Sequence, residues 1–162
     1  MGEKRLLLLL RHAHAEEAQG RADIDRPLSA GGRTQALDAA QVIALAKLAC
    51  DAVISSPALR ARETALIVAA QLDLADDIQF EPALYPGSPG AVLGALRHCA
   101  DSISTLLVVG HNPGLSELAQ NFNGDAAPVE LQTAGLCAIT LAARMRWRDL
   151  SARQATGVTL LR

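Results

Sequence analysis

Aromatic side chains are nearly missing from these 162 residues: there are one Trp, one Tyr and two Phe. Platforms that stack successive bases need several of them, so single-stranded nucleic acid is disfavoured as a ligand. No sign of charge dominates either. Fifteen Lys+Arg stand against seventeen Asp+Glu, for a formal charge of -2 and a pI near 6.1, and the charges are interspersed. That balance argues against a polyanion-binding surface and against nucleic acid as a partner. Lysine is confined to Lys4 and Lys47, the other basic residues being arginine. This bias either follows genomic composition or supplies planar forks for phosphate. Cys50, Cys99 and Cys137 are few, odd in number and without CxxC spacing, as expected of buried thiols in a reducing compartment. No apolar run approaches the roughly 18 residues of a membrane span. The length is also short for a barrel of eight β/α units, which takes about 250 residues.

What is present is aliphatic. Half of the chain is apolar, mostly Ala and Leu, so the core is expected to pack small side chains between helices and strands. A chain this long buries roughly 70% of its unfolded surface, enough for one soluble domain over residues 1–162 without disulfides or a structural metal. The start imitates a secretory signal, with Lys4-Arg5, an apolar stretch and Ala13-His14-Ala15. Its apolar run, residues 6–10, is shorter than the about seven residues such a signal needs, and Arg11 and His12 interrupt it. Leu6 stands where an acylation signal starting at Gly2 needs Ser or Thr. A cytoplasmic location follows.

Residues 6–10 form a continuous apolar run bounded by charge, the pattern of a strand covered on both faces. Residues 29–48 are helix-compatible and rich in Ala, with Ser29 as N-cap. A short strand is expected over 51–55, then Ser56 as cap and Pro57 as first helical residue of a helix to about 72. After a turn-rich stretch at 85–90 come a helix over 91–100 and a second buried strand over 105–109. Asn112 as cap and Pro113 at the first helical position open a helix to about 120. Residues 129–141, 145–150 and 157–161 look like strands, with a hairpin completing the sheet. Strands alternating with helices and then a hairpin predict a three-layer α/β/α domain with a mostly parallel central sheet.

Three strand-to-helix junctions deliver polar residues to the carboxyl ends of strands, where open α/β sheets bind ligands. They carry Arg11-His12, Arg60 and His111. Two arginines, two histidines and helix N-termini suit a tetrahedral dianion. Arg11 and His12 are consecutive and would face opposite sides of a regular strand, so both serve one pocket only where the strand departs from regularity. Taken singly, each has a plainer reading. His12 could be a strand-end histidine on a carbonyl, Arg60 a solvated helix residue pairing with Glu63 or Thr64, and His111 a capping residue.

Four motifs occur in order: Leu8-Leu9-Leu10-Arg11-His12-Ala13, Arg26-Pro27-Leu28-Ser29-x-x-Gly32, Ser55-Ser56-Pro57-x-x-Arg60-Ala61-x-x-Thr64 and Val109-Gly110-His111-Asn112-Pro113-Gly114. Together they resemble the histidine phosphatase superfamily, with its phosphoglycerate mutase-like fold, and within it the SixA-type phosphohistidine phosphatases. The resemblance runs from Leu6 to about Leu141. It departs from the common pattern at Ala13, where Gly is usual, and in lacking a clear acidic proton donor, for which Glu81 and Glu16 are the nearest candidates.

The resemblance implies that His12 is the nucleophile of a metal-independent phosphatase without cofactors, forming a covalent phosphohistidine that water hydrolyses. Arg11, Arg60 and His111 would hold the phosphoryl oxygens, and Arg26 is a further candidate for substrate binding, its alternative being a turn residue ahead of Pro27. The chemistry of the residues is compatible: imidazole near pH 7 is nucleophilic when neutral, and a carbonyl can hold its other nitrogen. Without a strong acid the site suits a leaving group that departs as a neutral ring, as protonated phosphohistidine does, better than an alkoxide. The expected partner is therefore a phosphorylated protein such as a phosphotransfer domain. A small phosphometabolite and a phosphate-binding module with little turnover are the alternatives.

Other readings are weaker. His12-x-His14 imitates a metal-ligand pair, but arginines at the site repel cations. Asp23-x-Asp25 imitates an aspartyl-phosphate nucleophile without the hydrophobic strand that should precede it. His14 could border the entrance or be a solvated histidine. Arg144, Arg146 and Arg148, spaced by two, would share one face of a late strand, either solvated or docking an acidic partner.

Overall fold

The computed structural model describes residues 4–162, so Gly2 lies outside the described residues. Its strands are β1 (Arg5–Arg11), β2 (Ala52–Ser55), β3 (Ile78–Phe80), β4 (Thr105–Gly110), β5 (Leu136–Leu141) and β6 (Ala155–Leu160). They form one sheet in the order β3-β2-β4-β1-β5-β6. The first four strands run parallel, β5 is antiparallel to β1, and β6 returns antiparallel to β5, in place of the expected hairpin between 145–150 and 157–161.

The helices are α1 (Ala30–Leu45), α2 (Leu59–Gln71), α3 (Pro89–Leu96) and α4 (Gly114–Asn123). Alternation along β1 shows how they layer. Leu7 and Leu9 pack with Leu96 of α3 and Leu115 and Leu118 of α4, whereas Leu8 and Leu10 pack with Ala36, Ala39 and Ala40 of α1 and Ala61 and Ala65 of α2. The result is the expected three-layer α/β/α arrangement. Alanines on α1 and α2 let those helices lie close to the leucines of the sheet, which is how a chain so poor in aromatics fills its interior. Among the described residues no helix is long and apolar enough to cross a membrane.

Several expected elements differ. The strand β3 has three residues, none of them buried, at the sheet edge, too short and too exposed for a hydrophobic pattern to announce it. Only Leu136–Leu141 of the stretch 129–141 is strand. Residues 145–150 are not a strand, so Arg144, Arg146 and Arg148 share no strand face. Arg144 has φ 64, and Trp147–Asp149 forms one 3-10 turn. Trp147 causes this. Its indole donates to the Ile103 carbonyl at 2.8 Å and its backbone N–H to Asp101 Oδ1 at 3.0 Å, which ties the segment to the loop before β4 instead of to a neighbouring strand. The Arg5 guanidinium completes the knot by donating to the carbonyls of Met145, Ile103 and Asp101.

Helix starts are displaced by a residue or two. Ser29 caps α1 as expected, accepting from the Gly32 N–H at 3.0 Å, and Ser88 caps α3. Helix α2 opens at Leu59, since Ser56 spends its hydroxyl on Ala58 N–H and on His111. Helix α4 opens at Gly114, while Asn112 Oδ1 accepts from the Ser116 backbone and hydroxyl.

Gly32 shows why α1 begins where it does. A Cβ there would stand 2.0 Å from the His14 carbonyl oxygen, so the first turn of α1 rests directly on the backbone that follows His12. Gly32→Ala is expected to lower stability by about 1–3 kcal/mol, the usual cost of overpacking against backbone, measured as a lower urea midpoint with an unchanged m-value.

Candidate active site

Parallel pairing brings three chain ends together. Arg11 is in register with Gly110, and Ser55 with Val109, so the residues following β1, β2 and β4 leave the sheet side by side. The chain leaves β1 after Arg11: His12 N–H still reaches the Gly110 carbonyl at 2.9 Å, but Ala13 N–H turns to Thr64 Oγ1 at 3.0 Å. That departure lets consecutive Arg11 and His12 serve one site.

His12 is held in a single tautomer. Its Nδ1 lies 2.8 Å from the Ala13 carbonyl, which can only accept, so Nδ1 carries the proton. Its Nε2 faces the Arg60 Nε–H at 3.3 Å, which can only donate, so Nε2 keeps its lone pair. Burial, followed by the charges of Arg60, Arg11 and Arg26, lowers the pKa to about 4 against a contribution from the Ala13 carbonyl. At neutral pH the ring therefore offers a neutral, oriented nitrogen lone pair.

Arg60 is buried, and its guanidinium is committed on its outer edge. Nη1 donates to the Asp23 carbonyl at 2.7 Å and Nη2 to Asp23 Oδ2 at 3.0 Å. It pairs with neither Glu63, which is taken by Arg33 and the Leu28 N–H, nor the Thr64 hydroxyl, which donates to its carbonyl. Asp23 also accepts from Arg26 Nη1 at 3.1 Å and from the Tyr85 hydroxyl at 2.8 Å. The hydrogen bonds from Tyr85, Arg26 and Arg60 bring its pKa to about 2. Arg26 is thus a member of the cluster through Asp23, and its Nε anchors on the Glu16 carbonyl.

His111 stands with its ring centroid 5.1 Å from that of His12 and 5.5 Å from that of Tyr85. Its Nε2 lies 2.7 Å from Ser56 Oγ. That oxygen also accepts from Ala58 N–H and has both a second lone pair and a hydrogen to offer the ring, so this contact serves either tautomer of His111. Burial, then His12 and Arg60, lower the His111 pKa to about 3. Its Nδ1 and Arg11 Nε are the two buried side-chain polar atoms without a partner among the described residues. Arg11 donates from Nη1 to the Leu131 carbonyl and lines a cleft of about 580 Å³ with Asn112, Ser116, Glu117 and Glu130. A buried Arg11 donor without a partner, an unpartnered His111 ring nitrogen and the charges of Arg60 and Arg11 around a nitrogen lone pair suit an acceptor-rich ligand, and a tetrahedral oxyanion is one.

Other candidates fall outside. Glu81 caps the turn at Pro82–Leu84 through Ala83 N–H and faces a separate cleft with Gln79 and His98, and Glu16 pairs with Arg21. His14 is exposed, its ring on Ser29 Oγ. The described residues contain no cluster of three or more His, Cys, Asp or Glu able to hold a metal. Ala13 is fully buried among Leu10, Leu28 and Ala36, so a methyl fits where Gly is usual. The sequence reading missed Asp23 and Tyr85 as site residues. Tyr85 is the one tyrosine and precedes Pro86-Gly87, the only cue available, and nothing local in Asp23 announces a contact 37 residues away.

The pattern of the histidine phosphatase superfamily (branch 1) matches residues 7–120, and the chain belongs to that superfamily. It is a phosphatase by family. An uncharacterized protein of Mycobacterium tuberculosis is 34% identical over 150 residues, covering 87% of this chain and 91% of that protein. A structure assigned as a phosphohistidine phosphatase of the SixA type from Nakamurella multipartitia is 29% identical with TM-score 0.75, over 97% of this chain and 93% of that one. The protein histidine phosphatase SixA complexed with tungstate shares the fold, with TM-score 0.77 at 24% identity over 96% and 93% of the two chains.

Both histidine pKa values lie below the ordinary 6.5, to about 4 for His12 and about 3 for His111. Between pH 6.5 and these values the unfolded chain binds more protons than the folded one, so stability rises with pH across the window and is lost as pH falls through it. In a histidine-resolved NMR titration neither ring should titrate between pH 5 and 8, and His12→Gln should flatten the acid slope of the urea midpoint. Thr64→Val, which orphans the buried Ala13 N–H, is expected to cost about 1–3 kcal/mol and to lower kcat more than it raises KM.

Proposed function

We propose that the protein dephosphorylates phosphohistidine on a protein, using His12 as nucleophile without a metal. The observation that carries this reading is the fixed His12 tautomer, with its Nε2 lone pair aimed among Arg60, Arg11 and His111. His12 Nε2 attacks phosphorus in line, the N–P bond to the substrate ring breaks, and its electron pair stays on the departing nitrogen. Water then attacks the phosphorylated His12 and restores the lone pair. Arg11 and Arg60 supply positive charge to the non-bridging oxygens, and His111, in its Nδ1–H tautomer, supplies a donor. Arg26 holds the cluster at its rim through Asp23.

The leaving group decides the substrate. Asp23, the carboxyl group bound to Arg60, is ionised at neutral pH and has no proton to give an alkoxide. A protonated imidazole needs none, since it departs as a neutral ring. The relation to the Nakamurella protein supports the same substrate class. Three free thiols, with burial pushing each up to about 11, fit a cytoplasmic setting.

Phosphate release from a phosphohistidine-bearing phosphotransfer domain and from a sugar phosphate, both in EDTA, tests the reading. Turnover of the first is expected to be faster, and His12→Ala should reduce it by at least about three orders of magnitude. Faster release from the sugar phosphate would assign a small-molecule substrate, loss of activity in EDTA would assign a metal mechanism, and phosphate binding without release would leave a binding module.

A further inference from the structure

The geometry points to Asp23 as a specificity-determining residue that accepts a hydrogen bond from the distal ring N–H of the substrate phosphohistidine and keeps that ring protonated while its P–N bond breaks. This rests on the phosphohistidine reading above and adds the residue that recognises the leaving group.

Asp23 belongs to the single 3-10 turn Asp23–Asp25, and no helix depends on its side chain. Donors from three separate segments hold it in place: Arg60 on α2, Arg26 just beyond the turn, and Tyr85 after the turn at Pro82–Leu84. Its side chain is 55% exposed where that of Arg60 is 8% exposed, so the carboxylate lies at the surface with the guanidinium buried beneath it. One guanidinium separates it from His12 Nε2.

The acceptor count leaves a vacancy. Oδ2 takes the Tyr85 hydroxyl and Arg60 Nη2, which fills its two lone pairs, whereas Oδ1 takes Arg26 Nη1 alone. Oδ1 thus keeps an acceptor position to spare on a side chain that is more than half exposed. A fixed anion at the mouth of a phosphate site repels the phosphoryl group, so it is a handicap for an ordinary phosphate ester. For a ring that must carry a proton to leave, the same anion is an asset, because an opposite charge nearby favours the protonated form.

The step balances without a general acid. The bond from His12 Nε2 to phosphorus forms, the bond from phosphorus to the substrate ring nitrogen breaks, and the pair stays on that nitrogen. The distal N–H remains on the ring throughout, held by Oδ1, and neutral imidazole departs. The groups facing Asp23 are Arg60, Arg26, Tyr85 and, across the pocket, His111. The two arginines oppose protonation of the ring, and direct contact with Oδ1 outweighs them.

Free phosphohistidine and p-nitrophenyl phosphate, whose leaving group needs no proton, give the test. In Asp23→Asn, kcat/KM for phosphohistidine should fall at least about 10-fold further than for p-nitrophenyl phosphate. The alkaline limb of its pH profile should move down by about 1 unit, and Asp23→Glu should restore it. A measurement on the unaltered protein does not depend on variant folding: the alkaline limb for phosphohistidine should lie about 1 unit above the ring titration of the free substrate followed by phosphorus NMR. Equal losses on both substrates with an unmoved limb would make Asp23 only a support for Arg60. Gains on both would make it a plug that competes with phosphate. Either overturns the proposal. If the unaltered protein prefers a sugar phosphate, it is the substrate reading that fails, and this is visible before any variant is made.

Discussion

Thr64 Oγ1 accepts from the Ala13 N–H at 3.0 Å and donates to the Arg60 carbonyl at 2.7 Å, and the placement of His12 against Arg60 hangs from this one hydroxyl. It joins the chain leaving β1 to the first turn of α2 and leaves neither Ala13 N–H nor the Arg60 carbonyl searching for another partner. With Ala13 fixed, its carbonyl fixes the His12 tautomer, and with Arg60 fixed, its Nε–H marks the direction of the His12 lone pair. Both hydrogen bonds of the Thr64 hydroxyl are buried, where an unmet donor costs more than a met one contributes. The arrangement is therefore all or nothing, and it is laid out before any ligand arrives.

Electrostatics follow from that placement. Three guanidinium groups gather around two imidazoles, and burial with these charges keeps both rings neutral well below physiological pH. A protonated His12 would have no lone pair to offer, so the same cations that suit a phosphoryl dianion also keep the proposed nucleophile unprotonated. Asp23 offsets part of the positive charge from the rim and steadies Arg26, Arg60 and Tyr85 without touching His12.

How much of this was legible in the sequence depended on the range of the interaction. The aliphatic run that became β1, the cap Ser29 and the residues Arg11, His12, Arg60 and His111 are local signals, set by hydrophobic pattern and by junctions between strand and helix. The layering of α/β/α followed from their order. What escaped was set by distant partners. Residues 145–150 have a strand-compatible composition, but Trp147 finds its partners at Asp101 and Ile103. Residues 129–135 also carry apolar side chains, yet their backbone is drawn over the site, with Leu131 O taken by both Arg11 and Asn112 and Ala134 N–H by the His12 carbonyl. Asp23 was set aside as a nucleophile on its local context, while its hydrogen bonds with Arg60 and Tyr85, distant in the chain, left no local trace.

The loop 129–135 also completes the site in a way that no motif encodes. It supplies an acceptor to Arg11, so that Nη1 is spent on Leu131 O while Nε stays buried and unpaired. An arginine with every donor satisfied would be a structural residue. One with a buried donor left over carries an unmet demand that, in the proposed reaction, a phosphoryl oxyanion would satisfy. The antiparallel strand β5, whose start sets the course of this loop, is thus as much a part of the site as the parallel strands that carry its histidines.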